Sequence, residues 1–362
     1  MLLEDLSKRK LPPVLMADTT IEGWPSRRKE IIEMFAKEVY GYSPIPPTDV
    51  RGEQVTEETR IWDGNVLHQR ISISFTTQKG DFSFPIDLLT PTKRENLPLI
   101  IYISFHEYPL NDHLTLKYLP VDDIVSSGYA VAVMHYNDVT KDLEPDFTTG
   151  LAAMYDRSSD DGTLWGKISM WAWAASRVMD FVQTLDYVDK KRIFCVGHSR
   201  LGKTALWCGV QDERFAAAVS NDSGCSGAAI TRDKQGETIK DITSQFPFWF
   251  CKNYHKYAGR EHEMPFDQHQ LLAAMAPRLL YVASADEDIW ADPQSEFLSC
   301  VAANEAYHLL DKKGIVHKNR YPETGESLHE GEIGYHLRAG THFLARFDWK
   351  QILLYMDRAL SD

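Results

Sequence analysis

Cysteine is scarce and unpaired. Cys195, Cys208, Cys225, Cys251 and Cys300 are odd in number, and no two stand in a C-x-x-C spacing. That excludes a disulfide framework and a zinc ribbon, and leaves reduced, mostly buried thiols as the expectation. No H-E-x-x-H occurs, and His255, His262 and His269 are spaced by seven, which does not place ligands on one helical turn. Neither a metal nor an organic cofactor is expected. Positive charge is in the minority: 39 Lys and Arg against 52 Asp and Glu give a net charge of −13. No basic stripe is there to displace counterions, so a nucleic-acid partner is excluded. A small anion is not, because a few local cations can reverse the field. Runs of about 18 apolar residues, the length of a membrane span, are missing, so no membrane partner is expected. The start, Met1-Leu2-Leu3-Glu4-Asp5-Leu6, has neither the basic flank nor the apolar core of a signal peptide, and reads as cytoplasmic.

What is present is enough chain, 362 residues, for a large core. Residues 1–24 show little periodicity and read as a surface wrap. From Arg27 to Tyr40, Ile31, Ile32, Phe35, Ala36, Val39 and Tyr40 recur at helical spacing, and Gly41 with the prolines at 44, 46 and 47 stops that helix. Residues 60–77 and 82–89 read as an antiparallel hairpin turning at Lys79-Gly80-Asp81. Leu99–Ser104 and Gly128–Met134 are apolar runs that fit central parallel strands. Residues 165–186 read as a long helix whose tryptophans, Trp165, Trp171 and Trp173, belong to the core. Strands follow at Ile193–Val196, Phe215–Ser220, Arg278–Ser284 and Ile333–Arg338, and a helix at Phe347–Asp357 closes the chain. Strands alternating with helices predict an α/β fold, a doubly wound and mostly parallel sheet between two helical layers with an antiparallel N-terminal extension. Repeats and linkers are absent, so 1–362 reads as one domain, with 1–95 as the extension and 96–362 as the core.

The most informative stretch is Arg192 to Val210. The strand Ile193–Val196 runs into a tight turn, Gly197-His198-Ser199-Arg200, and Leu201–Trp207 winds as a helix. A serine on a sharp strand-to-helix turn is the layout of the nucleophile elbow of α/β-hydrolases. The turn lifts the hydroxyl clear of the sheet, and the helix N-terminus offers N–H groups to a developing oxyanion. A plain crossover with Ser199 as an N-cap is the competing reading. The general G-x-S-x-G pattern is broken by Leu201, with Gly202 one position late.

A serine hydroxyl needs a base, and the base needs an orienting carboxylate. Two histidines lie in the last strand-to-helix segment. His336 falls inside the apolar strand and reads as a core residue. His342 lies beyond Gly340, in the loop past the strand end, and is the candidate base. The acid stays open. The later strand ends in Asp286, Glu287 and Asp288, where topology places the acid at Asp286 or Asp288; the earlier one ends in Asn221-Asp222-Ser223-Gly224.

Gly197-His198-Ser199-Arg200-Leu201-Gly202-Lys203 resembles the G-[CH]-S-R-x-G-K elbow of glucuronoyl esterases, carbohydrate esterase family fifteen. Asn221-Asp222-Ser223-Gly224-Cys225-Ser226-Gly227 is similar to their E-S-G-x-x-G segment, with aspartate in place of glutamate. Asp288-Ile289-Trp290-Ala291-Asp292-Pro293 and Gly340-Thr341-His342, followed by Asp348-Trp349, look like bacterial members. The resemblance implies a serine hydrolase of esters between 4-O-methylglucuronic acid on xylan and an alcohol. It implies Ser199 as nucleophile, His342 as base, Asp222 in the family's acid position and Asp288 in the more common one. It gives Arg200 to the oxyanion, and Lys203, Glu237 and Trp290 to the sugar's hydroxyls and ring. Asp222 is one methylene shorter than glutamate, so Asp288 can share or take the role. An acetyl-xylan or other carbohydrate esterase is the alternative, and a non-catalytic carbohydrate-binding form of the fold a further one.

Overall fold

In the computed structural model, which describes residues 2–107, 117–143 and 145–359, one mixed sheet organises the chain. Its strands are β1 (Arg51–Gln54), β2 (Thr59–Ile61), β3 (Val66–Thr77), β4 (Gly80–Pro91), β5 (Leu97–Ser104), β6 (Ala130–His135), β7 (Val188–His198), β8 (Ala217–Asn221), β9 (Leu279–Ala285), β10 (Ser327–Leu328) and β11 (Ile333–Arg338). They lie in the order β1-β3-β4-β6-β5-β7-β8-β9-β11-β10, with β2 paired to β3.

The apolar runs become strands covered on both faces. β5 is buried along its whole length. Side chains alternate across a strand. Leu99, Ile101 and Ile103 therefore enter one core, with the helices Lys167–Val182 and Arg200–Gln211. Ile100 and Tyr102 enter a second core, with Ile124, Trp349 and Ile352 of the helices Val121–Ser126 and Arg346–Ala359. β6, β5, β7, β8, β9 and β11 run parallel to one another, and β4 and β10 join this block antiparallel, through β6 and β11. The α/β fold read from the sequence, with its antiparallel N-terminal extension, is the one observed. Trp165, Trp171 and Trp173 are buried, and all five cysteines are buried thiols. Among the described residues, no helix is long and apolar enough to cross a membrane.

Three local readings differ. The stretch 60–77 is two strands, because Trp62, Asp63 and Gly64 take positive φ and turn β2 back on β3. The hairpin ladder extends to the pair Thr77–Gly80, so the turn is Gln78-Lys79 rather than Lys79-Gly80-Asp81. A helix at Pro293–Leu309 has no counterpart in the sequence reading. It is buried from Ser295 to Asn304 on every side, so its apolar residues form no stripe.

Parallel strands place the site. β7, β8, β9 and β11 are adjacent in that order, and their carboxyl ends share one edge. Ser199, Asp222, Asp288 and His342 follow those four ends. This is where an open α/β sheet binds ligands.

Candidate active site

The elbow is tight for a steric reason. A Cβ on Gly197 would stand 2.0 Å from the Leu201 carbonyl oxygen, so only glycine permits the helix to start this close behind the strand. Ser199 itself sits at φ 56°, ψ −127°, a strained setting for an L residue. Its N–H donates to the Asn221 carbonyl at 2.8 Å, which fixes the turn against β8. The helix Arg200–Gln211 begins at the next residue. The N–H groups of Gly202 and Lys203 donate to the Ser199 carbonyl at 2.9 and 3.2 Å, while those of Arg200 and Leu201, at the very start of the helix, have no intrahelical acceptor. The plain N-cap reading does not apply, because the Ser199 side chain makes no capping bond.

The hydroxyl faces His342. Ser199 Oγ and His342 Nε2 are 2.9 Å apart, and His342 Nδ1 is 2.6 Å from Asp288 Oδ2. With the carboxylate accepting from Nδ1–H, Nε2 is left free to accept from the serine hydroxyl. Asp288 is buried and also accepts from the Ala291 N–H at 3.2 Å. Asp286 faces elsewhere: it accepts from Gly340 N–H at 2.9 Å and from the Thr324 hydroxyl at 2.6 Å, and so ties the His342 loop to the loop after β9. His336 is the core residue expected, fully buried between Asp348 and the Tyr281 hydroxyl.

Asp222 is near but differently engaged. Its Oδ1 accepts from Ala285 N–H at 2.9 Å, and its Oδ2 from Arg338 and from Phe343 N–H, each at 3.3 Å. It has no hydrogen bond to His342, although one atom each of Asp222, Asp288 and His342 lie within 4.8 Å of one another. Burial pushes its carboxyl well up from the ordinary aspartate range, with Glu296 adding to the rise. His198 lies against His342 with ring centres 4.5 Å apart and planes tilted by 44°, and burial holds it well below the usual histidine range, so it brings no charge to the base.

The residues that the resemblance assigns to the site line one cleft of about 340 Å3, Ser199, Arg200, Lys203, Asp222, Glu237, Asp288, Trp290 and His342, whereas Asp286, the other acid offered by topology, does not. Lys203 is buried, and its Nζ donates to the Ser223 carbonyl at 2.5 Å. Burial lowers its ammonium from the ordinary value, and the nearby Glu237 works against that fall. Glu237 is buried rather than surface-exposed. Trp290 is half exposed, at 55%, and presents its ring at the rim. Arg200 is held by the buried Asp142 and lies 4.5 Å over the Trp249 ring. Trp249 donates its Nε1–H to the other Asp142 oxygen at 2.6 Å and stacks on Phe246, ring centres 3.8 Å apart. Asp142, Phe246 and Trp249 were not read from the sequence. The aromatic run Phe246-Pro247-Phe248-Trp249-Phe250 was a signal for the last two; Asp142 had none.

Among the described residues, two groups offer three metal-ligating atoms within 4.8 Å. One is Asp222, Asp288 and His342, where base and acid are already bonded to each other. The other is Glu107, His135 and Asp138, where His135 Nδ1 stands 3.5 Å from Asp138 and 3.9 Å from Glu107. His255, His262 and His269 each have a separate partner, Pro247, Asp233 and Pro12.

Comparison with known proteins agrees with this geometry. A family model described as glucuronyl esterase of fungi matches residues 71–311. Carbohydrate esterase MZ0003, from an unknown prokaryotic organism, is 32% identical over 98% of this chain and 90% of its own. The 4-O-methyl-glucuronoyl methylesterase of Podospora anserina is 26% identical over 86% of this chain and 61% of its own. A glucuronoyl esterase structure from Solibacter usitatus superposes with a TM-score of 0.87 at 34% identity, covering 96% of this chain and 97% of that one. A promiscuous esterase of carbohydrate esterase family fifteen, from a marine bacterial metagenome, superposes at 0.86 with 31% identity, covering 96% of each. At this identity over nearly its whole length, and with an α/β-hydrolase sheet delivering a serine to a histidine, the chain belongs to the glucuronoyl esterases, carbohydrate esterase family fifteen.

Proposed function

We propose that the chain hydrolyses esters of glucuronic acid on xylan-derived saccharides, the 4-O-methyl form included, through an acyl-enzyme on Ser199. What carries the reading is the hydrogen-bonded series Ser199–His342–Asp288 opening into a cleft with a buried cation. Ser199 Oγ bonds to the ester carbonyl carbon while its proton passes to His342 Nε2. Asp288 holds the imidazole in the right tautomer and stabilises the imidazolium. The carbonyl oxygen takes the negative charge, facing the Arg200 N–H and guanidinium, which Asp142 and Trp249 keep in place. The ester C–O bond breaks and the alcohol leaves with the proton from His342. Water then adds to the acyl carbon, gives its proton to His342, and Ser199 departs with that proton. The product is a uronate.

The binding residues fit that substrate. Lys203 and Glu237, one cation and one carboxylate side by side, suit sugar hydroxyls. Lys203 also sits one helical turn from Ser199, where the uronate charge appears. The Trp290 ring offers an apolar face to a pyranose. Asp222 supports the loop rather than the imidazole. The test compares turnover of a methyl glucuronate ester with release of acetate from acetylated xylan. Faster turnover of the glucuronate ester is expected; good acetate release with no glucuronate turnover would favour an acetyl esterase instead.

A further inference from the structure

Arg338 ends β11 and points inward rather than out. Its side chain is about nine-tenths buried. Its Nε donates to both Asp348 oxygens, at 3.0 and 2.9 Å. Its Nη1 donates to the Ala339 carbonyl at 3.0 Å. Its Nη2 donates to Asp222 at 3.3 Å, to the Thr341 carbonyl at 2.9 Å, and to the Phe343 carbonyl. Thr341 and Phe343 are the residues on either side of His342. One guanidinium thus holds both flanks of the segment that carries the base.

The acceptors are themselves fixed. Asp348 is fully buried at the start of the helix Arg346–Ala359, where it also takes His336 at 2.7 Å and Ala345 N–H at 2.5 Å. Asp222 is pinned to β9 by Ala285 N–H and returns a bond to Phe343 N–H. The segment therefore hangs between β8, β9, β11 and the last helix, with Arg338 as the common donor. We propose that Arg338 is a positioning residue: it sets where His342 stands relative to Ser199 and engages Asp222, so that the imidazole pairs with Asp288 instead. The inference rests on the reading of Ser199, His342 and Asp288 given above.

Two physical points separate this from ordinary core packing. A fork of planar donors reaches two carboxylates and three carbonyls at once; a lysine, a single point charge, does not. Removing the guanidinium also leaves the buried Asp222 Oδ2 without its side-chain donor beside the base, a cost that a second substitution can relieve.

The experiment measures kcat and KM on a methyl glucuronate ester for Arg338→Lys, Arg338→Met, Asp222→Asn and the double variant Arg338→Met/Asp222→Asn, with melting temperature as the check on folding. In Arg338→Lys and Arg338→Met, kcat is expected to fall about 100-fold, the scale of a small misplacement of a reacting group. KM should stay within about twofold, because no cleft contact is lost. The double variant should recover part of the kcat lost in Arg338→Met, since an amide in place of the Asp222 carboxyl does not depend on the missing guanidinium. If Arg338→Met does not fold, Arg338→Lys decides. A folded Arg338→Lys or Arg338→Met with kcat near wild type, or with a loss confined to KM, would overturn the proposal. Ser199→Ala, run alongside, reports on the underlying reading alone: if it stays active, that reading fails whatever the Arg338 variants do.

Discussion

Ser199 is held at a backbone setting that costs on the order of 1–3 kcal/mol, and the surrounding turn over-determines it. That strain points the hydroxyl at His342. The two neighbouring carboxylates are told apart by their partners. Asp288→Asn is expected to cut kcat by about 10^4-fold, because an amide favours the wrong imidazole tautomer. Asp222→Asn should cut it far less, since that carboxylate contacts Arg338 and backbone N–H groups. Steady-state kinetics on a glucuronate ester decides; the reverse ranking would return the role to Asp222. Lys203→Met should raise KM for the same ester by about 10-fold or more, the worth of a buried charged hydrogen bond, and change acetate hydrolysis little. Ser199 and His342 were legible in the sequence because short local patterns mark them. The choice between acids was not, since it depends on one 2.6 Å contact and on an arginine whose neighbours lie more than a hundred residues apart in the chain.

At the scale of elements, the helix Pro293–Leu309 supports the loops of the site through Glu296. This carboxylate is fully buried and accepts from Gly224 N–H at 2.8 Å and from the Ser284 hydroxyl at 2.6 Å. Burial raises it from its ordinary 4.5 to about 7. The folded state then holds a proton that the unfolded chain releases between pH 4.5 and 7. The stability this group contributes is fully present below pH 4.5 and is lost as pH rises through about 7. Glu296→Gln should therefore melt progressively higher relative to wild type as pH rises across that window. A difference independent of pH would contradict the assignment. The helix escaped the sequence reading because a segment buried on all sides has no amphipathic stripe. The elbow did not, because a serine between an apolar strand and a helix is a local feature.

Over the whole molecule, the N-terminal strands continue the same sheet that carries the site, through the β4–β6 ladder. The segment near Pro12 and Pro13 is bonded by His269 and Gln270 of the helix Gln268–Ala273. We propose that residues 1–362 form a single cooperative unit. Far-ultraviolet circular dichroism and tryptophan fluorescence should report coincident denaturant transitions, and an early transition in one probe would divide the chain. The overall class was legible because fully apolar runs admit little besides a sheet covered on both faces. Which strands stand side by side was not, and that order brings positions 199 and 342 together. The most direct test of that convergence is the rate of alcohol release from a methyl glucuronate ester by the wild-type protein and by Ser199→Ala at equal concentration. A fall of about 10^4-fold or more, with the melting temperature kept, is the expected result. A rate within tenfold of wild type would contradict it.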